Sequence, residues 1–162
     1  MSKDLQTERL RLVAQTPADT RSFIEAMSPE EKKELSADWL QQVRDSSSSN
    51  LWIHGFAAVA SADDAAVGRC GFKGPPGEDG VVEIAYGVAP ECAGKGYATE
   101  MAQVLVTHAF STGQVRIVRA HTLPEANAST RVLTKCGFHR VGEVVDPEDG
   151  LVWRWEKGNG PA

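Results

Sequence analysis

Glu83, Gly94 and Gly96 are the residues whose types and spacing first suggest chemistry in this chain. They lie in the run Val81-Val82-Glu83-Ile84-Ala85-Tyr86-Gly87-Val88-Ala89-Pro90-Glu91-Cys92-Ala93-Gly94-Lys95-Gly96-Tyr97-Ala98-Thr99-Glu100. The order reads as a strand carrying one carboxylate, then a glycine turn, then a helix start. A carboxylate can accept a proton. A turn built on glycine can hold positive φ and aim successive backbone N–H groups at an anion. The first turn of a helix adds unpaired N–H groups and the positive end of a dipole, and phosphate is the natural ligand of such a nest. Lys95 either adds charge there or is simply solvated. Gly-x-Gly before a helix is also a common structural turn, so the glycines alone leave both readings open. Two other phosphate motifs are excluded. The Walker pattern fails because Gly96 follows Lys95 where Ser or Thr is required, and the dinucleotide fingerprint fails at Thr99.

The elements that must position these residues follow from periodicity and turn chemistry. Glu8–Val13 alternates as a short strand with Leu10 and Leu12 on one side. Thr16-Pro17 predicts an N-cap and first helical position, with Phe23, Ile24 and Met27 as the apolar stripe. Ser28-Pro29-Glu30-Glu31 has capping-box spacing, and Leu35, Trp39 and Val43 continue one greasy helical face. Ser46 to Asn50 reads as a loop. Strands are expected over Leu51–Ala60, Ala65–Phe72 and Val81–Val88, separated by Asp63-Asp64 and Gly74-Pro75-Pro76-Gly77, which makes an antiparallel meander. A long helix is expected from about Lys95 to Phe110, then a strand over Arg116–Thr122. The resulting β-α-β crossover implies a parallel strand pair. A further helix fits Ala128–Cys136, stopped by Gly137, and a closing hairpin fits Phe138–Val145 with Leu151–Glu156. One domain over residues 1–157 is expected, with 158–162 as a frayed tail.

The whole chain narrows the classes of function. Its 162 residues suffice for a substantial single core. A net charge of −5 without a basic run argues against nucleic acid, which is bound mainly by neutralising phosphates. No apolar run approaches a membrane span, and Met1-Ser2-Lys3-Asp4 lacks a signal-peptide core, so a cytoplasmic protein is expected. Cys70, Cys92 and Cys136 form no C-x-x-C pair, and neither a metal site nor a disulfide framework is suggested.

The run from Glu83 to Val88 followed by Gly94 to Glu100 resembles motif A of the GCN5-related N-acetyltransferases (GNAT). The later run His121-Thr122-Leu123-Pro124-Glu125 through Ser129-Thr130-Arg131-Val132-Leu133-Thr134-Lys135-Cys136-Gly137-Phe138 resembles motif B, and Thr7-Glu8-Arg9-Leu10-Arg11-Leu12 is similar to the opening of the ribosomal-protein N-terminal acetyltransferase branch. The resemblance implies an α+β mixed sheet. In it an antiparallel meander is joined to a splayed parallel pair, the family's fourth and fifth strands, with helices on both faces. It also implies acetyl-CoA as co-substrate, no metal, and a primary amine as acceptor, either a protein N-terminus or a small molecule. The chain would work as a monomer or homodimer.

By the same resemblance Ala85, Tyr86, Gly87 and Val88 would face pantetheine, and Ala93, Gly94, Lys95, Gly96, Tyr97 and Ala98 would face the phosphates. Glu83 to Val88 spans about 16–17 Å of strand, comparable to the reach from a pyrophosphate to its thioester. Direct amine attack needs a proton acceptor, an oxyanion donor and a fate for the thiolate. Glu83 is the expected base, directly or through water, or else a strand glutamate paired with a basic neighbour. A backbone N–H near Val88 would serve the oxyanion. Ser129 matches a serine proposed as the acid, or else bonds its own helix backbone. Asn127 either contacts the cofactor arm or caps that helix. The usual asparagine lies one position earlier, where this chain has Ala126, and Leu133 replaces a frequent tyrosine acid, which argues against a tyrosine-dependent mechanism. Glu91 and Ala93 replace basic or amide residues, leaving phosphate recognition to backbone donors. His54 and His121 are read as strand histidines, packed or solvent-facing, with lining of the acceptor cleft as the rarer role. Asp146, Glu148 and Asp149 read first as ordinary solvated loop charge, and otherwise as favouring a cationic acceptor. The rival reading of the whole is a binding module that senses acyl-CoA without turnover.

Overall fold

The computed structural model describes residues 4–33, 35, 37–45, 51–146 and 150–158, the side chains of Asp38, Asp45 and Leu51 excepted. A single eight-stranded sheet organises them. Its strands are β1 (Leu5–Gln6), β2 (Leu10–Ala14), β3 (Phe56–Ala60), β4 (Ala66–Phe72), β5 (Val81–Val88), β6 (Ile117–Thr122), β7 (His139–Asp146) and β8 (Gly150–Gly158), ordered β1-β2-β3-β4-β5-β6-β8-β7. β3, β4 and β5 form the expected antiparallel meander, and β1 and β2 extend it antiparallel. The β5–β6 pair is parallel and joined through the long helix α5 (Tyr97–Ser111).

Three sequence expectations are corrected. The helix anticipated from Ser28 through Val43 is two helices, α2 (Pro29–Lys33) and α3 (Ala37–Asp45), after α1 (Pro17–Glu25). The Ser28–Glu31 capping box forms, with bonds of 3.0 and 3.2 Å, but the helix Pro29–Lys33 that it starts is charged at every position after the proline and buries nothing. The chain therefore turns at Leu35, whose N–H bonds the Lys32 carbonyl at 3.2 Å, and a fresh helix buries Val43. The expected strand over Leu51–Ala60 begins instead as one helical turn, α4 (Leu51–His54). Gly55 at φ +67° interrupts the extended run, and buried His54 places Nδ1 2.8 Å from Thr20 Oγ1 on α1. Gly55 and Gly71 nearly touch, since a Cβ on Gly71 would lie 2.8 Å from the Gly55 Cα. Finally, β8 continues past Glu156 through Gly158, which pairs with Ile117. The remainder of the expected tail, and the expected loop at 46–50, lie outside the described residues.

Alternation along the strands sorts the sheet into two faces. Leu10, Leu12, Phe56, Cys70, Phe72, Val82, Ile84, Val118 and Trp155 are buried on one, under α5 and under α6 (Ala128–Lys135) with its fully buried Leu133. Burial pushes the Cys70 thiol up to about 12, so it is an inert core thiol. The opposite face carries Arg69, Gly71, Ala85, Gly87, Glu83, His121 and Arg154, and α1, α3 and α4 lie on that side.

Candidate active site

Parallel pairing of β5 with β6 covers only Val81↔Ile117, Val82↔Val118 and Glu83↔Arg119. Beyond Glu83 the two strands part. On its other edge β5 stays bonded to β4 as far as Val88, and β6 stays bonded to β8 as far as Thr122. The opening is therefore between two well-held strands, and the edge of β5 along residues 84–88 has backbone groups without a strand partner. Glu83 stands at the apex of this fork.

Glu83 is not isolated there. Its Oε2 lies 3.1 Å from Nζ of Lys73 and 2.9 Å from Nδ1 of His121. Nε2 of His121 accepts a hydrogen bond of 3.1 Å from Nε of Arg154. Arginine can only donate, so Nε2 is the acceptor nitrogen and the ring hydrogen sits on Nδ1, aimed at the carboxylate. Burial alone would raise the Glu83 pKa, but the His121 hydrogen bond and the Lys73 charge outweigh it and hold the carboxyl below its ordinary value. A row Lys73–Glu83–His121–Arg154 thus runs from the residue just after β4 across β5, β6 and β8. His121 is the packed strand residue the sequence suggests, set against Glu83, whereas His54, expected on a strand, lies on a helix.

The other residues of β5 divide by alternation. Ala85 and Gly87 are exposed on the Glu83 face, while Tyr86 and Val88 turn toward α5 and α6. The Tyr86 hydroxyl lies 3.0 Å from Ser129 Oγ, at the first turn of α6. Burial raises the Tyr86 pKa further than its bond to Ser129 lowers it, so the phenol stays protonated. Ser129 is thereby linked to β5, but on the face opposite Glu83. Leu133 is buried on α6, and the phenol that lies against Ser129 comes from Tyr86 on β5. Asn127 caps α6: its Oδ1 accepts from the Thr130 N–H at 2.9 Å, and Thr130 Oγ1 accepts from the Asn127 N–H at 3.0 Å.

At the far end of β5 the chain passes through a 3-10 turn, Pro90–Cys92, into the glycines. Gly94 has φ +77° and Gly96 φ +87°, conformations that favour glycine. Gly96 is the N-cap of α5 and supplies no side chain, so the first N–H groups of that helix stay open, and α5 starts two residues later than the sequence suggests. Ala93, Gly94, Lys95 and Gly96 are all exposed, and Tyr97 and Ala98 form the first turn. Glu91 is exposed on the 3-10 turn.

Arg9 is a neighbour the sequence did not reveal. Its guanidinium stacks on the Tyr97 ring at 4.6 Å from the centroid and ion-pairs with Glu100. A Cβ on Gly96 would come within 3.1 Å of Arg9 Nη2, so a cation flanks the open helix end. Thr7 Oγ1 also donates to Glu100, at 2.6 Å, tying the β1–β2 turn to α5. Only tertiary contact joins these segments, more than ninety residues apart in sequence. Among the described residues no group of three His, Cys, Asp or Glu is arranged to hold a metal ion, and no described helix is long and apolar enough to cross a membrane.

Comparison with known proteins follows the same lines. Residues 4–139 match the acetyltransferase (GNAT) domain family. The uncharacterized N-acetyltransferase p20 of Bacillus licheniformis is 29% identical over 111 residues, which are 68% of this chain and 62% of that protein. The chain therefore spans less than two thirds of the length of that relative. Among solved structures, a GNAT-family acetyltransferase from Bacillus anthracis aligns with TM-score 0.70 at 20% identity, covering 96% of this chain and 98% of the other. RimL, a ribosomal L7/L12 alpha-N-protein acetyltransferase solved with coenzyme A, also aligns with TM-score 0.70, at 15% identity, over 96% of this chain and 98% of its own. At those identities the two structures speak for the fold, and the family match over most of the chain speaks for descent. This chain belongs to the GNAT acetyltransferase domain family.

Proposed function

We propose that the chain is an acetyl-CoA-dependent N-acetyltransferase that passes an acetyl group to a primary amine in a ternary complex. The observation that carries this reading is the placement of Glu83 at the apex of the β5–β6 fork, with the open glycine turn at the far end of the same strand. The pyrophosphate lies on the N–H groups of residues 94–98, with Arg9 beside it. Pantetheine amides pair with the free edge of β5 along residues 85–88, and a backbone N–H on the Glu83 side of that edge receives the oxyanion. The alpha-N-protein activity in the name of RimL agrees with an N-terminal amine as acceptor, and a small amine fits the same chemistry.

The acceptor amine approaches on the Glu83 face, over Ala85 and Gly87. Its nitrogen forms a bond to the acetyl carbon as the carbon–sulfur bond breaks. The ammonium proton leaves to the Glu83–His121 pair, directly or through water. Its carboxylate end remains ionised, and the acceptor nitrogen of the imidazole becomes available when Arg154 yields. On the opposite face the Tyr86–Ser129 hydroxyl pair supplies a proton to the departing thiolate, Ser129 donating outward while Tyr86 donates to it. Base and acid thus sit on opposite faces of one strand, so neither neutralises the other. Cytoplasmic residence belongs to the same proposal.

The test is release of free thiol from acetyl-CoA over a panel of amines and N-terminal peptides, alongside binding of CoA itself. Turnover with any primary amine, lost in Glu83→Gln, supports the enzyme. Tight CoA binding with no thiol release across the panel replaces it with an acyl-CoA sensor. Failure to bind any CoA species overturns both.

A further inference from the structure

The face of the sheet that carries Glu83 has a surplus of positive charge with a definite location. Arg119 and Glu156 neutralise each other at 2.6 Å, and Lys73 and Glu83 do so at 3.1 Å. His121 is neutral by the tautomer argument above. Among the described residues two guanidinium groups are left over. Arg154 donates to His121 and makes no ion pair among the described residues. Arg69 lies on β4, directly across from Gly87. Its guanidinium carbon is 3.8 Å from the Phe23 ring centre, and Nη1 reaches Gln15 Oε1 at 3.4 Å.

Arg69 is half-buried, and burial is the largest influence on it, opposed less strongly by its surroundings at Cys70 and Asp19. Asp19 forms no ion pair with it, since its carboxylate accepts the Thr16 N–H at 3.1 Å in the α1 cap. A partly desolvated cation without a carboxylate partner is costly, and a ligand that supplies the partner recovers that cost. Stacking on Phe23 also fixes the plane of the fork, which suits bidentate recognition of a carboxylate. Between Arg69 and the Glu83 apex the sheet floor consists of Gly71, Ala85 and Gly87, small enough to let a substrate lie on the strands. Ala85 and Gly87 are two residues apart, about 7 Å along the strand.

We propose that the acceptor is an amine that also carries a carboxylate, such as a peptide with acidic residues next to its N-terminus, and that Arg69 receives the carboxylate while the amine lies over Ala85. This rests on the acetyltransferase reading and names the acceptor class of the same site. A positive cleft does two things at once. It holds the anionic group, and it disfavours the ammonium form of the amine, so more of the acceptor is present as the neutral nucleophile. A polycationic acceptor meets repulsion from both guanidinium groups. The cationic acceptor suggested by Asp146, Glu148 and Asp149 is therefore not favoured; Glu148 and Asp149 lie outside the described residues.

The experiment compares three tripeptides, Ser-Asp-Asp, Ser-Ala-Ala and Ser-Lys-Lys, all amidated at the C-terminus. The readouts are thiol release from acetyl-CoA and calorimetric binding to the CoA complex. The expected order is acidic, then neutral, then basic, with about tenfold or more between the ends, shrinking as salt rises. Arg69→Gln narrows the acidic-to-neutral ratio to under about threefold, and Arg69→Lys, which keeps charge but not the fork, falls between. Equal or better binding and turnover of the basic peptide, or an unchanged ratio in a folded Arg69→Gln, overturns the anionic acceptor while leaving the acetyltransferase intact. Absence of CoA binding overturns the underlying reading as well.

Discussion

The carboxylate of Glu83 and the imidazole of His121 face each other across the point where β5 and β6 part, with Oε2 2.9 Å from Nδ1. Arg154 occupies the other ring nitrogen at 3.1 Å and so fixes which nitrogen carries hydrogen. The pair is a neutral imidazole donating to an ionised carboxylate, and each member sets the state of the other.

Replacing Glu83 tests that pairing. Glu83→Gln should lower kcat by about 10²-fold or more, the usual weight of a positioned acid or base, with CoA affinity little changed. Stability should respond to pH as well. The folded-state pKa of Glu83 lies below the ordinary value of 4.5, so its stabilisation is present above that value and is lost as pH falls through the lowered one. The melting-temperature gap between the parent and Glu83→Gln should be constant from neutral to mildly acidic pH and close in stronger acid. A gap that widens on acidification contradicts the ion-pair account.

The hydroxyl pair on the opposite face should behave as one unit. Tyr86→Phe and Ser129→Ala are each expected to slow the chemical step, and the double variant should cost little more than the worse single one. A coupling energy of about 1 kcal/mol or more in the mutant cycle is the expected sign of a shared proton path. Independent, additive losses would separate the two residues, and full activity in Tyr86→Phe would remove the phenol from the reaction.

At the glycine turn, Gly96→Ala forces a side chain into positive φ and against Arg9, while Gly94→Ala meets open space and suffers from φ alone. Each should cost about 1–2 kcal/mol where the left-handed conformation is kept. CoA affinity should fall in both, more for Gly96→Ala, because the donors of the first turn of α5 are displaced. Calorimetric titration with CoA is the check. Unchanged affinity in both variants would mean that the turn is structural only.

His54 offers a prediction away from the site. Burial, with the charge of Arg21 adding to it, lowers its pKa below the ordinary 6.5. The neutral ring is favoured in the folded state, so its contribution is fully present above 6.5 and declines as pH falls through the depressed value. Urea midpoints should therefore drop between pH 7.5 and 5.5, with proton uptake on unfolding. His108 is shifted in the same direction by burial and adds to the slope. His54→Asn should flatten the dependence without abolishing it, and an identical slope in that variant would assign the effect elsewhere.

Sequence alone determined the elements whose signal is local. Alternation marked Val81–Val88 to the residue, because a strand buried on one face cannot slip register without exposing its core set. Thr16, Ser28 and Asn127 announced three helix starts through capping chemistry that depends on residues within one turn. Gly94 and Gly96 marked a tight turn of positive φ for the same reason. Local signals misled at residues 51–54, where Leu-Trp-Ile-His has strand composition but packing of His54 on Thr20 imposes a helical turn. They misled again after Lys33, where an apolar spacing bridged a break. What only the tertiary structure decided is which side chains share the site. Glu83, His121 and Arg154 belong to three strands and Lys73 to the bend after a fourth, and Arg9 meets Tyr97 and, 91 residues away in sequence, Glu100. Their proximity is set by strand order and register, which follow from the packing of the whole sheet against its helices and have no signature in the spacing of any one segment.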